Sequence, residues 1–330
     1  MEILFDIQQI VRNARQKAYQ AINVAMVQAY WLIGKRIVEE DQQGEARATY
    51  GKELLKNISL QLQNEFGKGF SVDNLENMRR FYVSYPISET VSRKLQTPDF
   101  QLSWSHYLML MGIKDLNERS FYEIESIENR WSLRELKRQY DSGLYLRLAL
   151  SADKAGIKQL AEKGQLLERP TDAIKDPYIL EFLELKEQYQ YSESDLENAL
   201  IDKLQDFLLE LGKGFTFVAR QKRISFDEKH FKIDLVFYNR ILKCFVLIDL
   251  KIGELKHQDI GQMQMYVNYY DRLVKLEDEH KTIGIILCQK KSDLLVEITL
   301  PENNDQIFAS RYQTILPSKE ELRTLLEQKK

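Results

Sequence analysis

Two aspartates and a lysine stand inside apolar, strand-like runs: Asp234 in FKIDLVFYN, and Asp249 with Lys251 in CFVLIDLK. Side chains alternate across a strand, so Asp249 and Lys251 share one face while Ile248 and Leu250 take the other. Charges in such runs are costly unless they are paired, coordinated or used. Mg²⁺ takes oxygen ligands, often one or two carboxylates together with waters and substrate phosphate oxygens. Asp234 and Asp249 suit that role, and the backbone carbonyl of Leu250 adds a third protein oxygen. Lys251 then orients or deprotonates an attacking water and stabilises charge growing on phosphorus. The expected chemistry is hydrolysis of a phosphodiester; the competing structural reading is a strand-end aspartate and a surface salt bridge. Asp234 lies opposite Asp249 if the hairpin reverses between Ile241 and Leu242, although the strongest turn signal, Asn239-Arg240, comes about two residues earlier and calls for a bulge or a longer loop.

Neighbouring segments offer helpers. Gln262 and Tyr266 are four apart and so occupy one helical face just after the acidic strand. Glu197 stands three residues after Ser194, a capping-box spacing, and is therefore either a cap or a site carboxylate. Arg220, Lys222 and Arg223 are candidates for gripping a DNA backbone near the cleft, with plain surface charge as the alternative.

These residues need a scaffold, and the pattern supplies one. A helix is expected over about 194–211, strands over about 215–224, 231–238 and 242–251, a helix near 258–272, and strands at 282–288 and 296–300. Helix, three-strand meander, helix, strand makes an α/β sandwich on a mixed sheet. Residues 1 to about 150 read instead as helices, with apolar residues at Ile3, Ile7, Ile10 and Val11 in helical spacing.

Within that part, one helix stops at Gly67-Lys68-Gly69, Ser71 caps a second and Pro86 closes it. This is either a helix-turn-helix, presenting Asn74, Asn77, Arg79 and Arg80 to DNA, or a helical hairpin with a solvated face. Trp104 and Tyr107 read as core. Arg134, Lys137, Arg138 and Arg147 form a stripe that meets phosphate or is simply solvated. Gly156, Gly164, Pro170 and Pro177 mark the boundary, giving a helical domain over 1–160 and an α/β domain over 170–330.

The 330 residues carry 47 Lys+Arg against 50 Asp+Glu, a formal charge of -3, so phosphate contact must come from local patches. No segment reads as a signal peptide or membrane span, which places the protein in the cytoplasm. Cys244 and Cys288 lack a CxxC partner and read as small core residues. His106, His230, His257 and His280 are scattered, and GxSxG, HExxH and GxGxxG are absent.

Taken in order, Glu197, Asp234, Asp249 with Lys251, and Gln262 with Tyr266 resemble the PD-(D/E)XK nuclease superfamily, in its RecB-like branch with a QxxxY helix. More closely, the chain resembles the YhcG-like family along YWLIGKRIVEE, YGKELLKNISLQLQNEFGKGFSVDNLENMRRFY, LSWSHY, WSLRELKRQ, LLELGKGFTFVARQKRI, IDLVFYNRILKCFVLIDLK and GQMQMYVNYYD. Ile233 stands where the motif's name has proline. The resemblance implies a restriction-endonuclease-like α/β sandwich and Mg²⁺-dependent DNA cleavage, with Mn²⁺ able to substitute. In that reading Asp234 and Asp249 hold the metal, Glu197 assists through water, and Gln262 with Tyr266 positions groups. It further implies a helical domain that recognises DNA or a protein partner, a homodimer or higher homo-oligomer by analogy, and a setting in foreign-DNA defence, repair or mobile-element biology. A non-cleaving DNA-binding or assembly module and an RNA-directed nuclease are the alternatives.

Overall fold

The computed structural model describes residues 2–43, 48–86, 99–151, 154–185, 191–226 and 228–328. The chain forms two compact units, Met1–Lys137 and Arg138–Lys330.

The first unit is helical: α1 (Glu2–Gln43), α2 (Ala48–Phe66), α3 (Val72–Ser84), α4 (Trp104–Leu110), α5 (Leu116–Glu128) and the start of α6 (Leu133–Asp141). Ile37, Leu55, Leu75 and Met78 form a core under α1, α2 and α3. At Gly34 a Cβ would stand 2.0 Å from the carbonyl oxygen of Met78, so only glycine allows α1 to approach α3 this closely. Gly67, at φ 89°, ends α2, and Ser71 caps α3 by accepting from the Asn74 N–H at 3.2 Å. Phe81, Phe100, Trp104 and Tyr107 pack in tilted and edge-to-face contacts around α4, with Tyr107 in the core and the half-buried Trp104 packed against it.

The second unit holds the rest of α6, then α7 (Leu144–Ser151), α8 (Lys154–Lys163), β1 (Tyr178–Ile179), α9 (Glu193–Asp202), α10 (Leu204–Leu211), β2 (Phe215–Phe226), β3 (Lys229–Asn239), β4 (Cys244–Glu254), α11 (His257–Leu273), β5 (Ile283–Lys290), α12 (Asp293–Thr299), β6 (Ile307–Gln313) and α13 (Lys319–Gln328). Its six-stranded mixed sheet has the order β1-β6-β5-β4-β3-β2. The β2-β3-β4 meander is antiparallel, and β4, β5, β6 and β1 run parallel. Leu196, Leu200, Phe207 and Leu211 of α9 and α10 cover one face of the sheet. Ile260, Met263, Tyr266, Val267 and Tyr270 of α11 cover the other, completing an α/β sandwich.

Several expectations are corrected. The strand expected at 296–300 is α12, whose Ser292 cap accepts from the Leu295 N–H. The sheet is completed instead by β6 and the two-residue β1. The single helix expected over 194–211 is two helices, broken at Lys203. The Arg134–Arg147 stripe is not a solvated or phosphate-facing surface as a whole: Arg147 is fully buried against Glu210, and Arg138 pairs with Glu181 and Glu210. Those pairs lie within the second unit. Among the described residues no helix is long and apolar enough to cross a membrane.

Candidate active site

The β3-β4 ladder pairs Leu235 with Ile248 and Asn239 with Cys244, and the same register places Asp234 opposite Asp249. The reversal falls between Ile241 and Leu242, in a four-residue loop. Asn239 builds that loop: its side-chain oxygen accepts from the N–H groups of Ile241 at 3.0 Å and Leu242 at 3.1 Å. The turn signal and the carboxylate pairing are therefore compatible, because Asn239 caps the loop from its strand end.

Across β2, Arg220 pairs with Leu235 and Lys222 with Ile233, so Gln221 stands beside Asp234 and completes a row Gln221, Asp234, Asp249 over three strands. The row marks a local rotation of the sheet. Leu235 and Phe237 pack under α9 and α10, whereas Ile233 and Phe231 pack under α11, and Gln221 has φ 46°. Beyond Leu235 the β3-β4 ladder stops, and the Leu250 N–H donates to Asp234 Oδ2 at 2.8 Å. The aspartate thus stands in for a backbone partner at the mouth of the cleft.

Asp249 is only 2% exposed. Burial, and then the negative charge of Asp234, push its carboxyl up to about 7 against the opposing pull of Lys251. Lys251 Nζ lies 2.8 Å from Asp249 Oδ2, yet no hydrogen-bond donor is aligned on that oxygen. Burial pulls Lys251 down, but Asp249, Glu193 and Asp234 outweigh it and leave its pKa raised. Glu193, in the first turn of α9, lies 3.8 Å from the same ammonium and accepts from the Ile252 N–H at 3.3 Å.

Glu197 is not the cap. Ser192 caps α9 and exchanges hydrogen bonds with Asp195, which leaves Glu197 free to point at the sheet. One of its oxygens accepts from Gln221 Nε2, and the same amide donates to Asp234 Oδ1 at 3.1 Å. Its other oxygen has no aligned donor and lies 3.5 Å from Arg220 Nε. Burial raises its pKa, Gln221 opposes, and Asp234 raises it further. On α11, Gln262 donates to the Tyr266 hydroxyl, which donates to the Lys232 carbonyl at 2.7 Å. Tyr266 is pushed up to about 12 by burial, with Gln262 opposing and Asp249 and Asp234 adding to the rise.

The fold therefore brings Glu197, Asp234, Asp249, Lys251, Gln262 and Tyr266 to one end of one sheet, with Arg220, Lys222 and Arg223 on the adjoining strand. Asn74, Asn77, Arg79 and Arg80 belong to the first unit. There the Asn74 amide donates to the Gly69 carbonyl and accepts from Trp104 Nε1 at 3.0 Å, Arg79 pairs with Glu76 at 3.1 Å, and Arg80 is exposed. Gln221 and Glu193 are not legible as site residues in the sequence, since only the register of β2 on β3 and the packing of α9 give them partners.

The donor set suits a hard divalent cation to this extent: the half-buried Asp234 carboxylate stands against the buried Asp249 and raises it, and one buried oxygen on Asp249 lacks an aligned donor. Among the described residues no three His, Cys, Asp or Glu side chains converge as a ligand group, so the carboxylate centre is a pair, with Glu197 joined to it through Gln221.

Comparison with known proteins identifies the family. Residues 171–327 match the YhcG PDDEXK nuclease domain, and residues 6–147 match the DUF1016 N-terminal domain. The "Putative nuclease YhcG" of Escherichia coli (strain K12) is 40% identical over 338 aligned positions, covering 95% of this chain and 90% of that protein. Among solved structures, a repair endonuclease from Pyrococcus abyssi gives a TM-score of 0.27 at 17% identity, covering 39% of this chain and 50% of the other. EndoMS in complex with double-stranded DNA gives 0.27 at 18% identity, covering 41% and 50%. With 40% identity along nearly its whole length and both domain families matched in order, the chain belongs to the YhcG family of PDDEXK nucleases.

Proposed function

We propose that this protein is a divalent-metal-dependent DNA endonuclease that hydrolyses phosphodiester bonds at the β3-β4 cleft. The observation that carries the reading is the placement of Asp234 beside Asp249 with Lys251 held on Asp249 at 2.8 Å. Asp234, Asp249 and the Leu250 carbonyl would hold Mg²⁺, with Mn²⁺ able to replace it. Within an extended strand a residue's N–H and C=O point to the same edge, so the Leu250 carbonyl shares the edge on which its N–H meets Asp234. The bound ion would supply Lewis-acid polarisation of the phosphate and a more acidic water.

The protein's own groups do the positioning. Gln221 fixes the orientation of Asp234 while tying it to Glu197, whose second oxygen is buried without an aligned donor and would assist through a water. Lys251 presents an ammonium to the attacking water and to the phosphate oxygens. Tyr266 and Gln262 hold the start of β3 in place through the Lys232 carbonyl. Arg220, Lys222 and Arg223 supply backbone phosphate contacts on this side. In the first unit, α3 supplies the DNA- or partner-recognition face, with Asn77 and Arg80 as its contact residues, Arg79 beside them and Asn74 bracing the turn.

A homodimer is part of the proposal. Ile3, Ile7 and Ile10 of α1 are 72%, 50% and 66% exposed and recur at the four- and three-residue intervals of a two-helix seam, so the occupant we assign is α1 of a second copy.

The test is cleavage of supercoiled plasmid, linear duplex and branched DNA with Mg²⁺ or Mn²⁺ by wild type, Asp249→Ala and Lys251→Ala. Metal-dependent cutting abolished in both variants is the expected result. Salt-sensitive DNA binding that survives EDTA, without any cutting by the wild type, would instead favour a non-cleaving module. Competition between RNA and DNA of equal length separates the RNA-directed alternative.

A further inference from the structure

The sheet does not end at the acid row. The β3-β4 ladder stops at Leu235, but β2 and β3 continue together to Phe226 and Lys229, so residues 222–226 and 229–233 form a two-stranded arm beyond the cleft. Its two faces differ. Ile224, Phe231 and Ile233 are packed in the core under α11. Phe226 stacks on Phe231 at 5.2 Å and on Tyr269 of α11 at 6.2 Å, which braces the arm against the helix. The Tyr266 hydroxyl anchors its root at the Lys232 carbonyl.

The other face is polar and basic. Arg223 pairs directly with Lys232 across the strands, and Ser225 pairs with His230, whose Nδ1 lies 2.9 Å from the serine Oγ. Like charges directly opposite on a ladder destabilise it. Among the described residues no carboxylate forms an ion pair with Lys222, Arg223 or Lys232, and all three are exposed. An anion laid across the two side chains would offset this repulsion. The pair stands beside the cleft, because Glu197 feels the positive charge of Lys232 and lies 3.5 Å from Arg220. A two-stranded ribbon also has the width that a DNA major groove admits.

We infer that this arm is a DNA clamp: the Arg223 and Lys232 pair grips the backbone of duplex DNA beside the scissile phosphate, and the Phe226-Phe231-Tyr269 stack holds the ribbon at a fixed angle for it. The inference rests on the nuclease reading for the identity of the ligand, and it adds the element that holds the duplex. Phosphate contacts position a duplex without reading its sequence, so the arm sets where the cleft sits on the backbone.

The experiment measures binding of the full chain to a short labelled duplex in EDTA, as salt is raised from about 50 to 200 mM. Arg223→Gln/Lys232→Gln is compared with Arg240→Gln/Lys243→Gln, which removes the same charge from the loop at the other end of β3. For the first variant the slope of log affinity against log salt is expected to shrink by about 2, one for each phosphate no longer neutralised. Arg223→Lys/Lys232→Arg is expected to restore it, and the loop variant to keep the wild-type slope. Equal slopes in all variants, or equal reductions in the arm and loop variants, would overturn the clamp while plasmid cleavage by the wild type kept the nuclease reading. A slope change confined to an RNA duplex would overturn the assignment to DNA. A wild type that binds no duplex overturns the clamp, and the nuclease reading is then decided by the plasmid assay alone.

Discussion

The carboxylate of Asp234 accepts the backbone N–H of Leu250 at 2.8 Å, at the point where the β3-β4 ladder gives way to a cleft. One side chain thereby does two things. It satisfies a strand amide that would otherwise lose its partner at the edge of the opening, and it fixes a negative charge next to Asp249. The like-charge pair is costly by itself, and the cost is what a divalent cation would remove.

That cost should be measurable as stability. Asp249 is pushed up to about 7 by burial and then by Asp234. A carboxyl with a raised folded pKa favours the fold fully only below its unfolded value near 3.8, and the contribution is lost as pH rises through about 7. In EDTA, Asp249→Asn should therefore melt higher than wild type at pH 8, with the difference shrinking toward pH 4. Thermal melts across that range check it, and a difference independent of pH would remove the Asp234 repulsion from the account. The same variant should lose metal-dependent cleavage.

Tyr266 makes a different kind of contribution, through the backbone of β3. Tyr266→Phe deletes the hydroxyl that donates to the Lys232 carbonyl and accepts from Gln262, at a cost of about 1 kcal/mol. The effect should be local. Hydrogen exchange of residues 229–233 should accelerate while the central strands β4 and β5 keep their protection. Unchanged exchange in the arm would show that the Phe226 stack alone holds it.

What the sequence displays follows from the range of the interactions involved. Asp249 and Lys251 are legible because strand alternation is local, and the pairing of Asp234 with Asp249 requires only a short loop, which Asn239 builds. Glu197 is ambiguous because Ser192-Asp195 and Ser194-Glu197 offer the same capping spacing two residues apart, and only the fold selects the first. The Val296 run reads as a strand yet folds as a helix since short apolar segments do not distinguish the two, while β6, FASRYQ in its body, alternates too weakly to announce itself. Arg147 looks like surface charge because its partner, Glu210, is 63 residues away.

That Arg147-Glu210 pair gives a prediction for the scaffold. Glu210 is fully buried, accepts from Arg147 and from the Ile179 N–H at 3.0 Å, and is flanked by Arg138 and Lys175. Burial pushes its carboxyl up, but Arg147 and Lys175 outweigh burial and bring it down to about 2. Its stabilising contribution is thus complete above the unfolded value of 4.5 and lost as pH falls through about 2. Glu210→Gln removes the buried carboxylate that pairs with Arg147 and should cost about 3–5 kcal/mol at neutral pH. Denaturant unfolding at pH 7 and at low pH checks both parts: a variant as stable as wild type at pH 7 would exclude the pair as a support of the second unit.

Gln221 allows support of the site to be separated from support of the fold. Its amide bridges Glu197 and Asp234, yet its backbone sits at φ 46°, a region that costs a non-glycine residue about 1 kcal/mol or more. Gln221→Gly removes the bridge and the strain together, whereas Gln221→Ala removes the bridge alone. Both variants should bind Mn²⁺ about 10- to 100-fold more weakly, the usual consequence of losing a group that orients metal ligands. Only the glycine variant should keep or gain thermal stability, because relief of the left-handed strain offsets the missing hydrogen bonds. Calorimetric titration with Mn²⁺, paired with melts in EDTA, distinguishes the two contributions. Wild-type affinity in both variants would mean that Asp234 is oriented by the Leu250 N–H alone and that Glu197 acts independently of it.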